Sequence, residues 1–125
     1  MATDKKIVFL VDDDLTNLTV GKKALADTFR VFTMDSGEAM LEMVKNVKPD
    51  IILLDINMPH MDGYEVLKRI REIEALEDVP VIFLTGLNDS TDIMKGIALG
   101  PADYITKPFL TKHLLERVKA HISGR

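Results

Sequence analysis

The chain has 125 residues, 46% of them apolar and 29% charged, with 20 acidic and 16 basic side chains giving a formal charge of -4. This length and balance suit one domain with a core of its own, and the acidic excess argues against nucleic-acid binding by bulk charge. The absence of cysteine excludes disulfides, thiolate metal sites and cysteine nucleophiles.

Met1 to Lys6 is polar and charged, without the apolar stretch of a signal peptide, and the next run, Ile7–Val11, is too short to span a bilayer. A cytoplasmic protein with no membrane association is expected. That run reads as the first strand. Leu15, Leu18, Leu25 and Phe29 follow at helical spacing, and residues 31–34 read as the second strand. Ser36 is placed to cap a second helix built on Ala39, Met40, Met43, Val44 and Val47, with Pro49 after its end. Residues 51–54 form the third apolar run, and Val66, Leu67, Ile70 and Ile73 the third helical face. After the fourth run, 81–84, Asp89 or Ser90 can cap a fourth helix on Ile93, Met94, Ile97 and Ala98, which Gly100 would end. Residues 104–105 make the last short strand, and Thr111 can open a fifth helix carrying Leu114, Leu115 and Val118.

Most of the strand runs are continuous rather than alternating, which is how strands read when both faces are covered. Strand and helix alternate five times with no linker between. This pattern predicts a single α/β domain over residues 1–125, core 6–122, with a doubly wound parallel sheet joined by right-handed crossovers.

In such a sheet, sites form beyond the carboxyl ends of the strands. The residues there are Asp12, Asp13 and Asp14 after the first strand, Asp55 after the third, Thr85 after the fourth, and Thr106, Lys107 and Pro108 after the fifth. Gathered carboxylates repel one another, and a hard divalent cation relieves that repulsion. Asp13 and Asp55 can supply part of a magnesium shell, Lys107 a second positive charge and Thr85 a hydroxyl donor. The set suits phosphoryl transfer to a carboxylate. Read singly, Asp14 is a helix cap, Thr85 a strand or capping residue, and Tyr104 an amphipathic aromatic at a partly exposed edge. Pro59 and Gly63 flank a turn after Asp55, and Asp62 can cap the third helix. His60, His113 and His121 show no ligand spacing.

The segments Phe9-Leu10-Val11-Asp12-Asp13-Asp14, Pro49-Asp50-Ile51-Ile52-Leu53-Leu54-Asp55, Met58-Pro59, Met61-Asp62-Gly63, Val81-Ile82-Phe83-Leu84-Thr85 and Asp103-Tyr104-Ile105-Thr106-Lys107-Pro108-Phe109 carry a family resemblance. In order and spacing the chain resembles the receiver domains of two-component response regulators, of the chemotaxis type. The resemblance implies a flavodoxin-like strand order 2-1-3-4-5 with five helices. It implies Asp55 as phosphoacceptor, magnesium (or manganese) held by Asp13, Asp55 and the Asn57 carbonyl, and Asp12 holding the metal mainly through water. Thr85 and Lys107 would contact phosphoryl oxygens, and Tyr104 would be a switch aromatic coupled to Thr85. A cis Lys107–Pro108 bond would aim the ammonium. Asn57 and Leu87 would tune hydrolytic water. Gly86 and Pro101 stand where alanine is frequent in the family.

The implied function is phosphorelay signalling. A histidine kinase or histidine phosphotransfer protein would donate the phosphoryl group, and the domain would later dephosphorylate itself rather than turn over an external substrate. The output domain or target is not specified, and a phosphorylation-dependent homodimer is one form the output could take. Two rival readings are a degenerate receiver that binds partners without phosphorylation and a metal-dependent phosphatase-like hydrolase.

Overall fold

Five parallel strands form one sheet in the order β2-β1-β3-β4-β5: β1 (Ile7–Val11), β2 (Arg30–Met34), β3 (Ile51–Asp55), β4 (Val81–Thr85) and β5 (Asp103–Thr106). The computed structural model describes residues 5–86, 100–108 and 110–123. Among them are the helices α1 (Leu15–Leu25), α2 (Gly37–Met43), α3 (Gly63–Arg71) and α4 (Thr111–Ser123), with a 3-10 turn at Glu74–Leu76. Of the helices expected from sequence, α4 is thus the fifth. The fourth expected helix with its cap at Asp89 or Ser90, together with Leu87 and Phe109, lies outside the described residues.

Side chains alternate along each strand between two apolar layers. Phe9, Val11, Ile52, Leu54 and Phe83 meet Met40, Val66, Leu67 and Ile70 of α2 and α3 on one face. Val8, Leu10, Leu53, Leu84 and Ile105 meet Leu18, Leu25, Leu114 and Val118 of α1 and α4 on the other. This double covering is why β3 and β4 are buried at every position and read as unbroken apolar runs.

The caps fall where their chemistry predicts. Asp14, Ser36 and Asp62 precede α1, α2 and α3 and accept backbone N–H bonds from Thr16, Ala39 and Glu65. Asp50 holds the start of β1 through an Oδ2···H–N bond to Ile7 of 2.7 Å.

Helix ends depart from the sequence pattern. Phe29, Val47 and Ile73 continue the helical spacing but lie past the last helical residue. After α2 the N–H groups of Lys45 and Asn46 bond back three residues, to Glu42 and Met43, so the chain tightens into a turn while its side chains stay in register. Leu15, the first residue of the spacing read for the first helix, opens α1 but is 76% exposed. Among the described residues no helix is long and apolar enough to cross a membrane.

Candidate functional site

Three carboxylates and an ammonium converge at the carboxyl edge of the sheet. Asp12 continues the β1–β2 ladder, its N–H bonding to the Met34 carbonyl at 3.1 Å, and its side chain is fully buried. Its Oδ1 accepts the Asp14 N–H at 3.0 Å, so Asp14 shapes the pocket as well as capping α1. Among the described residues its Oδ2 has no hydrogen-bond partner, and it faces Lys107 Nζ at 3.5 Å. Asp55, the last residue of β3, is 1% exposed, and Lys107 Nζ donates to its Oδ1 at 2.9 Å. The exposed Asp13 completes the group: one carboxylate oxygen from each of Asp12, Asp13 and Asp55 lies within 4.8 Å of the others.

Lys107 is anchored through its backbone. Its N–H donates to the Thr85 carbonyl at 2.7 Å, tying the end of β5 to the end of β4, and the Lys107–Pro108 bond is cis. Thr85 is buried, with its hydroxyl donating to the Gly86 carbonyl at 3.1 Å. The loop after Asp55 carries the exposed Asn57 and Pro59, and His60 adopts φ 70°. It returns to the strand through Gly63, whose N–H donates to the Ile56 carbonyl at 2.8 Å. Gly63 was expected to ease a turn, but the reason for glycine is close approach. A Cβ there would sit 2.6 Å from the Asp55 carbonyl oxygen and 2.8 Å from Ile56 Cα.

Burial pushes the Asp55 carboxyl up, the Lys107 hydrogen bond pulls it down, the charge of Asp12 pushes it up again, and the result is about 7. Asp55 is therefore not simply anionic at neutral pH, as a carboxylate at an exposed strand end would be. Burial works against the Lys107 ammonium, but Asp55 and Asp12 outweigh it and raise its pKa, so the lysine stays charged. Among the described residues, one ammonium against three carboxylates, with a buried Asp12 oxygen lacking a hydrogen-bond donor, is a ligand set that fits a hard divalent cation.

Tyr104 is half-buried on β5, its phenol pKa raised by burial. It is the register partner of Phe83, and the two ring centroids are 5.6 Å apart.

A sequence model described as the response regulator receiver domain matches residues 8–119. The chain belongs to this family. A Vibrio cholerae protein described as a probable cyclic di-GMP phosphodiesterase is 37% identical to this receiver domain over 118 residues, 94% of this chain and 27% of that protein. A probable transcriptional regulator of Guillardia theta is 38% identical over 117 residues, 93% of this chain and 45% of that protein. The chain thus spans less than half the length of these curated relatives. The BeF3-activated receiver domain of DrrB from Thermotoga maritima superimposes with a TM-score of 0.85 at 34% identity, covering 95% of this chain and 98% of that one. Receiver domains serve phosphorelay signalling, interact with histidine kinases or phosphotransfer proteins and with output domains, and bind magnesium in an acidic pocket of this kind.

The site brings together Asp12, Asp13, Asp55, Thr85 and Lys107 as the strand ends imply. Sequence reasoning missed the surroundings of Tyr104. Arg117 and His121, four residues apart on α4, reach Asp103 at 3.0 and 2.9 Å beside it. Their i, i+4 spacing was the only signal available.

Proposed function

We propose that this receiver domain is a phosphorylation switch in which Asp55 accepts a phosphoryl group from a partner phosphohistidine. The supporting observation is the contact of Asp55 Oδ1 with Lys107 Nζ at 2.9 Å, beside an Asp12 oxygen to which none of the described residues donates a hydrogen bond. Asp13, Asp55 and the Asn57 carbonyl would hold magnesium, with Asp12 acting mainly through water. When bound, the ion neutralises charge on the transferring oxygens.

A carboxylate oxygen of Asp55 attacks phosphorus as the phosphorus–nitrogen bond to the donor imidazole breaks, and the electron pair leaves with the imidazole. Lys107 balances the added charge and the Thr85 hydroxyl donates to a phosphoryl oxygen. Movement of Thr85 toward that oxygen lets Tyr104 turn inward, shifting the population of the β5 and α4 surface presented to an output domain, a target or a second copy. Water later attacks the phosphorus as its bond to the Asp55 oxygen breaks, releasing inorganic phosphate and restoring the carboxylate. Asn57 tunes the attacking water, and Leu87, outside the described residues, is assigned the same role. In this proposal residues 1–125 act as one cytoplasmic receiver domain without nucleic-acid or membrane binding of its own.

Intact-mass measurement with acetyl phosphate tests this. With magnesium, one acid-stable, hydroxylamine-labile phosphoryl group is expected, and with a chelator none. Equal labelling in both conditions, or none in either, would overturn the proposal.

The raised pKa of Asp55 gives a second expectation. Near and below pH 7 the metal-free carboxyl holds a proton that the cation must displace. Magnesium affinity should therefore fall as pH falls through 7, by about tenfold per pH unit if one proton is displaced. Calorimetric titration on either side of neutrality checks this, and an affinity independent of pH would contradict it.

A further inference from the structure

Three aromatic rings form a row across α3, β4 and β5. Tyr64 meets Phe83 edge-on, with centroids 5.3 Å apart at 76°, and Phe83 meets Tyr104 at 5.6 Å and 48°. Phe83 is fully buried and Tyr64 is 6% exposed, so both rings are packed in place, whereas Tyr104 is half-buried. Phe83 lies two residues before Thr85 on β4 and shares its face of the sheet.

The row begins at the acceptor loop. Tyr64 follows Gly63, which is bonded to the Ile56 carbonyl and lies directly against the Asp55 backbone. A shift of the backbone at 55–56 therefore moves the first turn of α3 and the Tyr64 ring with it.

We infer that Tyr64 and Phe83 are positioning residues for Tyr104, forming a second coupling line from the Asp55 loop to β5 that runs parallel to the one through Thr85. The inference rests on the switching role proposed for Tyr104. Phe83 supplies the aromatic surface that favours the inward ring, and Tyr64 fixes the angle at which that surface is offered. Offset and edge-on aromatic pairs gain energy beyond their buried area and depend on orientation, so a tilt of Tyr64 changes how well Tyr104 is held.

The chain has only two tyrosines, which makes the test direct. In full-length protein with isotope-labelled tyrosine rings, NMR would follow Tyr104 before and after adding beryllofluoride with magnesium as the phosphoryl stand-in. Wild type is expected to show a displaced Tyr104 signal on addition. Tyr64→Phe, which keeps the ring, should behave like wild type and assigns the signals. Tyr64→Leu and Phe83→Leu should change the inward-to-outward ratio about two- to tenfold, while labelling of Asp55 by acetyl phosphate persists. If Phe83→Leu fails to fold, Tyr64→Leu decides. A wild-type response in Tyr64→Leu would overturn the coupling line but leave the Tyr104 switch intact. A Tyr104 that does not respond in wild type would overturn both.

Discussion

Asp55→Asn is expected to abolish labelling by acetyl phosphate and, at the same time, to make the metal-free protein more stable above neutral pH. The first effect follows from removing the attacking oxygen's charge while keeping the shape of the side chain. The second follows from linkage. The Asp55 pKa rises from 3.8 to about 7 on folding, chiefly through burial and despite Lys107. Between those values the native state holds a proton that the unfolded chain has released, so wild-type stability falls as pH rises and the full cost is present above 7. Asparagine has no such proton. The variant should lack this slope and exceed wild type by about 1–4 kcal/mol above neutrality, the range allowing for the Lys107 contact it gives up. Urea denaturation of both proteins at mildly acidic and mildly alkaline pH, without divalent ions, measures the difference. Parallel stability curves would mean that the buried carboxylate is not strained. Labelling retained at another residue would remove Asp55 from the chemistry.

The sheet was readable because β1, β3 and β4 lie between two helical layers, so burial on both faces wrote continuous apolar runs into the chain. The carboxyl-edge site was readable for a related reason: once parallel strands are inferred, the residues that follow them must gather. What stayed hidden depends on neighbours distant in sequence. Gly63 looks like any turn glycine until the backbone of Asp55 is seen beneath it. Phe83 looks like one more apolar strand residue until strand register pairs it with Tyr104. The protonation of Asp55 depends on how deeply β3 is covered, which spacing does not reveal. Phe29 and Val47 kept the helical period past the assigned helix ends because each N–H still bonds four residues back, to the carbonyls of Leu25 and Met43.

Gly63→Ala sets local propensity against tertiary fit. At the start of an exposed helix, alanine would add up to about 1 kcal/mol of stability over glycine. Here the new methyl would meet the Asp55 carbonyl oxygen at 2.6 Å and Ile56 Cα at 2.8 Å, both backbone atoms of a fully buried strand end. Either α3 moves away, weakening the Gly63 N–H bond to Ile56 and the Asp62 cap, or β3 moves and carries the acceptor with it. A net loss of about 1–3 kcal/mol is expected in urea denaturation, with acetyl-phosphate labelling slowed about tenfold or more as Asp55 shifts from its place beside Lys107. Gly21→Ala is the control. Its Cβ would also meet an atom at 2.6 Å, but that atom is Leu10 Cδ2, the end of a side chain that can turn aside. Gly21→Ala should therefore cost less and leave labelling unchanged. Equal losses in the two variants would mean that rigidity of the backbone beneath Asp55 is not what requires glycine at position 63.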